Sequence, residues 1–138
     1  MSLHSFQWPI TVYIEDTDAG GIVFYANYLR FMERARTEFI RSLGFPAVAR
    51  IEPNTQFVVH KVSVTYHRPA KLDDRLNVSA QVKRLGRTFM VFEQAVTQSA
   101  DNQMLVAGEV TVACVDSKRF KATRLPEALL NALRTVSS

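Results

Sequence analysis

The chain reads as an α+β domain: an antiparallel five-stranded sheet wrapped around one long central helix. Three observations carry that expectation. Apolar residues alternate with period two at the start, switch to helical spacing near Val23, and return to period two from Gln56. The later runs are separated by short turn-rich segments, which favours antiparallel neighbours. A single long helix with an apolar stripe must bury that stripe, and the sheet is the surface available to it. At 138 residues and 47% hydrophobic content, one domain over 1–138 has material for a sizeable core, drawn from about 8–120.

Residues 8–14 give the first strand, with Trp8, Ile10, Val12 and Ile14 on one face. Tyr25, Tyr28, Leu29, Met32, Ala35, Phe39 and Leu43 then follow a helix face. Arg30, Glu33, Arg34, Glu38 and Arg41 fill the other side, with Arg34 spaced to pair with Glu38. Gly44 stops the helix and Pro46 bars its continuation, leaving about five turns. The two-proline stretch from Phe45 to Thr55 is a loop with at most a short helical turn. Four strands follow. Gln56–His67 sets Val58, His60, Val62, Val64 and Tyr66 on one face, and Arg75–Arg84 sets Leu76, Val78, Ala80 and Val82. Thr88–Gln98 and Met104–Val115 are apolar on both faces. The connections at 68–74, 85–87 and 100–103 are turn-like and predict a meander. Pro126 sits near the first turn of a short C-terminal helix at about 125–135.

The net charge of +4 is spread over scattered basic residues, without a basic helix stripe, zinc ligands or an aromatic RNA-binding signature. Nucleic acid is thereby disfavoured, and an anionic small molecule fits the charge. No run approaches the roughly 18 apolar residues of a membrane span. Residues 1–5 show no charged and apolar export signal, so a cytoplasmic protein is expected. The lone Cys114 falls on a strand face with Val110 and Val112 and reads as a buried thiol in a reducing compartment. His4, His60 and His67 are dispersed, without metal-ligand spacing: a mobile terminus, a core or interface position, and a strand end.

Chemistry concentrates in Glu15–Tyr28, where two aspartates and a Gly-Gly turn run into an aromatic helix start. A helix N-terminus offers free N–H groups and partial positive charge to a carbonyl. A carboxylate beside it is a plausible acyl-transfer group. Asp18 can serve as nucleophile or base, or simply cap the turn. Asp16 fits the structural role of holding the loop, and Gly20 and Gly21 permit close approach of backbone to a ligand. Glu33 is the rival carboxylate, set against pairing with Arg30 or Arg36 along the helix.

The run Asp16–Tyr25, followed by Tyr28 and Glu33-Arg34-Ala35-Arg36, resembles hotdog-fold acyl-CoA thioesterases, and within them the YbgC-type branch related to the 4-hydroxybenzoyl-CoA thioesterases. The similarity continues through Tyr66–Asp74, Arg84–Thr88 and Ala113–Asp116. It implies a hotdog fold with active sites at dimer interfaces, in a homodimer or homotetramer. It implies Asp18 as catalytic carboxylate, with the Tyr25 backbone N–H at the thioester oxygen. Arg87 and Thr88 would meet the CoA phosphates, with Arg84, Lys118 and Arg119 as further contacts, and His60 could approach the acyl group from a partner subunit. No metal or redox cofactor is implied. An acyl carrier protein, components of the Tol–Pal envelope system and peripheral placement at the inner membrane go with the same resemblance. The competing readings are a hotdog hydratase or dehydratase and a non-catalytic acyl-CoA-binding scaffold. No histidine follows the Asp18 loop, which weighs against dehydratase chemistry.

Overall fold

The computed structural model describes residues 6–48 and 51–136, so the expectation for His4 lies outside them. Five strands form one antiparallel sheet: β1 (Phe6–Thr11), β2 (Thr55–Tyr66), β3 (Arg75–Leu85), β4 (Phe89–Gln98) and β5 (Met104–Asp116). Two helices accompany it, α1 (Asn27–Ser42) and α2 (Glu127–Val136). This is the α+β hotdog arrangement, with α1 packed against β1, β3 and β4.

The spatial order is β1-β3-β4-β5-β2. Only β3, β4 and β5 form the expected meander. β2 pairs with β5, not with β3, so the first two strands are the two edges of the sheet. The segment after β2 is what carries the chain across. It is held over the start of α1, where the Val23 amide donates to Ala70 O at 2.9 Å and Ala70 N donates to the Tyr28 hydroxyl at 2.9 Å.

The helix starts later than the apolar spacing predicts. α1 begins at Asn27 and buries Tyr28, Phe31, Met32, Ala35, Phe39 and Ile40. Tyr25 lies ahead of the helix because residues 17–23 are taken up by a tight hairpin in which Thr17 bridges Val23, and Leu29, inside α1, faces outward. Phe39 meets Phe92 edge-on at 6.0 Å and Phe6 at 5.7 Å, which keys the helix into both β4 and β1. Each such ring fully buried contributes roughly 1.5–3 kcal/mol. Gly44 at φ +104 ends the helix as expected. Glu38 pairs with Arg41 at 2.7 Å, not with Arg34, whose guanidinium lies over the Phe31 ring.

Two other expectations fail for local reasons. β1 stops at Thr11, and Ile14 is 76% exposed in a 3-10 turn, because the Asp16 carboxylate accepts the Tyr13 amide and winds the chain. In β2 the register slips between Val59 and Lys61, so His60 is a bulge residue. The slip swaps the faces before it: Phe57 and Val59, not Val58, lie opposite the inward-facing Cys114 and Val112. His60 is exposed in the single chain, so it is not a core histidine.

Cys114 is fully buried, and burial, with Glu52 nearby, holds its thiol above the ordinary range. At neutral pH the native protein is expected to take up no thiol reagent, and one equivalent on unfolding. Rapid labelling of the folded protein would show that the β5 face opens.

Candidate active site

The hairpin that displaces the start of α1 builds the site. Asp18 donates its amide to Ile22 O at 2.9 Å, and its carbonyl accepts the Gly21 amide at 3.1 Å. Gly21 has φ +82, a conformation strained for any L side chain. The Asp18 carboxylate folds back on this turn, Oδ1 accepting the Gly20 amide at 2.8 Å. Among the described residues nothing bonds Oδ2. One oxygen therefore shapes the turn while the other stays open to a reactant.

The same segment then enters the helix. Phe24 O accepts the Asn27 amide at 2.8 Å and Tyr25 O accepts the Tyr28 amide at 3.4 Å, so the backbone is already helical in curvature at Tyr25. Among the described residues no acceptor takes up the amides of Tyr25 or Ala26. These are unsatisfied donors of a helix start, aided by the positive end of the α1 dipole. The Tyr25 ring, 63% exposed, packs against Phe24 and Tyr66. Tyr66 comes from the last residue of β2, and its hydroxyl donates to Tyr25 O at 3.2 Å. Burial raises the Tyr28 phenol, an effect the Ala70 amide partly offsets, and burial with the neighbouring Tyr25 raises that of Tyr66. Both hydroxyls are neutral at ordinary pH.

Asp16 has the structural role expected of it. It is 6% exposed; its Oδ2 accepts the Tyr13 amide at 2.9 Å, and the Asn27 amide nitrogen reaches both Oδ1 and the carbonyl at 3.2 Å. The pair of aspartates thus divides, one tied up and one open. Asn27 and Tyr66 were missed as site residues. Helical spacing read from about Val23 places Asn27 inside the helix, where nothing in the sequence singles it out.

Other sequence candidates lie elsewhere in the chain. Glu33 is exposed on α1 and faces a cavity of about 480 Å³ between the second half of the helix and the start of β2. Ile40, Phe57, Val59 and Phe92 line it, and no residue of the Asp18 loop does. Among the described residues Glu33 forms no ion pair. Burial lowers the pKa of the neighbouring Arg36 guanidinium, an effect the Glu33 charge partly offsets, and Arg36 donates to Gln94 Oε1 at 3.0 Å. Arg87 and Thr88 occupy the β3–β4 turn, at the end of the sheet opposite the Asp18 loop, roughly 33 Å away by the rise of the eleven-residue β3. Arg84, Lys118 and Arg119 share that pole; the amides of Arg119 and Lys118 donate to Asp116, holding its carboxyl below the usual range. Asp18, Gly20, Gly21 and Tyr25 are therefore brought together, while His60, Arg87 and Thr88 are not joined to them within one chain. Among the described residues no three metal-ligating side chains cluster.

A hotdog sheet packed against one long helix, with a carboxylate and free helix-start amides in one loop, is an arrangement suited to acting on a carbonyl. The chain belongs to the thioesterase superfamily, whose family model matches residues 20–105. Its similarity reaches to individual proteins. It is 42% identical over 130 residues to the acyl-CoA thioester hydrolase YbgC of Escherichia coli O6:H1, covering 94% of this chain and 96% of that one. The acyl-CoA thioesterase YbgC of Haemophilus influenzae is 41% identical over 125 residues, 90% of each chain. Among solved structures, a probable thioesterase from Bartonella henselae superposes with a TM-score of 0.78 at 32% identity, covering 89% of this chain and 99% of that one.

Proposed function

We propose that this protein, as a single hotdog domain, is an acyl-CoA thioester hydrolase that uses water to convert an acyl-CoA to the free acid and CoA. The observation that carries the proposal is the open Oδ2 of Asp18 in the same loop as the unpaired Tyr25 amide. The Tyr25 N–H, with the helix dipole behind it, takes the thioester oxygen and stabilises the charge that develops there. Asp18 acts either by removing a proton from the attacking water or by attacking the carbonyl itself, with water then releasing the acid. CoA leaves as thiolate, a group stable enough to need no strong acid. The names carried by the two YbgC relatives support this substrate class. Thiol release from a panel of acyl-CoAs tests it: turnover that saturates with at least one acyl group is expected, and none across the panel refutes it.

The functional unit we propose is at least a dimer, joined along β2. That strand is an edge, with Val59, Val62 and Tyr66 well exposed. Two β2 edges paired about a twofold axis run antiparallel. The partner's Arg87 and Thr88 then stand beside the Asp18 loop, in reach of the CoA phosphates, which one chain alone does not provide. Val62→Asp is expected to reduce the mass in light scattering to the 15.6 kDa of one chain and to abolish turnover with it. A native protein that is monomeric and fully active would end this part of the proposal.

A further inference from the structure

The geometry points to Asn27 as a positioning residue that aims the Tyr25 amide, an inference that rests on the hydrolase assignment above. Asn27 is the first residue of α1, and the capping position before it is Ala26, which offers no side-chain cap. The Asn27 side chain does not cap its own helix either. It turns back eleven residues, and Nδ2 donates to both the carbonyl and Oδ1 of Asp16 at 3.2 Å.

Its backbone completes the device. The Asn27 N–H donates to Phe24 O at 2.8 Å. Phe24 C=O and Tyr25 N–H are opposite ends of one planar peptide, so fixing the first directs the second. A bond accepted at the carbonyl end also strengthens the N–H as a donor. The plane before it is pinned as well, because the Phe24 amide donates to Asp16 O at 3.0 Å. Tyr66 holds the plane after it through Tyr25 O. Asp16 is the common anchor: the Tyr13 amide and the Asn27 side chain lock it, and it locks Phe24 in turn. Without the Asn27 side-chain amide, the helix start and the Asp16 turn lose their side-chain link, and the Tyr25 donor is held only by the remaining backbone bonds and the Tyr66 hydroxyl, with more room to tilt.

A donor moved by a fraction of an ångström still permits binding but stabilises the transition state less. In the full chain, Asn27→Ala is expected to lower kcat about 10- to 100-fold with KM within about threefold. Binding of hexyl-CoA thioether, which has no carbonyl for the Tyr25 amide, should match the native protein. Asn27→Ser keeps a donor facing Asp16 and should recover part of kcat. Where Asn27→Ala melts too early to assay, Asn27→Ser carries the same comparison against native protein. A native kcat in the folded variants overturns the inference, as does a loss of thioether binding in proportion to kcat, which would mark a loop-stabilising role alone. If the native protein itself turns over no acyl-CoA, the hydrolase assignment fails first and the inference falls with it. Native turnover with an unaffected Asn27→Ala defeats the positioning role only.

Discussion

Asp18→Asn is expected to cut acyl-CoA turnover by about 10²–10⁴-fold, the range for removing a positioned base. The asparagine keeps an oxygen that can accept the Gly20 amide, so the turn from Asp18 to Ile22 should survive. Only the charge and the lone pairs of the open oxygen are lost. Thiol release measured beside a thermal melt separates the two consequences: turnover collapses while the melting temperature stays within a few degrees. Because Cys114 is buried, the protein adds no thiol background to that assay. Unchanged turnover would move the carboxylate role to Glu33, the other acid weighed from the sequence. A variant that no longer folds would instead mean that Asp18 is chiefly the clasp of its turn.

Phe92→Ala should be the most damaging change to the fold, costing about 3–5 kcal/mol. The Phe92 ring is 1% exposed and meets Phe39 of α1 edge-on at 6.0 Å. It also lines the cavity behind β2, so its removal enlarges a space the neighbours already fail to fill. Against a total of roughly 5–15 kcal/mol for a domain, such a loss is severe. Urea unfolding should show a much lower midpoint at an unchanged slope. A midpoint shift worth less than about 1 kcal/mol would mean the helix can settle onto the sheet and close the gap.

What the sequence disclosed was mostly local. Five strands, one long helix and its glycine stop were legible because alternation and helical spacing are set by neighbours in the chain. The Asp18 loop was legible for the same reason, since carboxylate, glycines and helix start lie within ten residues. Pairing was not. Nothing in Thr55–Tyr66 announces that its partner is β5, because the short link to β3 is diverted over α1 by bonds to Val23 and Tyr28. The bulge at His60 was invisible too: one unpaired residue swaps Val58 for Phe57 and Val59 on the inner face without disturbing the apolar count. Asn27 was not legible because its partner Asp16 lies eleven residues back, and helical spacing from Val23 places it inside the helix with nothing to mark it.

The strand order has a consequence for how the chain is made. β1 and β2, the first two strands of the sheet to leave the ribosome, are its opposite edges, and neither pairs with the other. α1 emerges between them with its apolar stripe and no sheet to cover it. β1 gains a neighbour only when β3 appears, and β2 must wait until synthesis has passed Asp116. Such distant pairing is slow to form and leaves strands exposed meanwhile. Chains interrupted before β5 should therefore be insoluble or bound by chaperones, and the fold should be acquired in one late step rather than element by element.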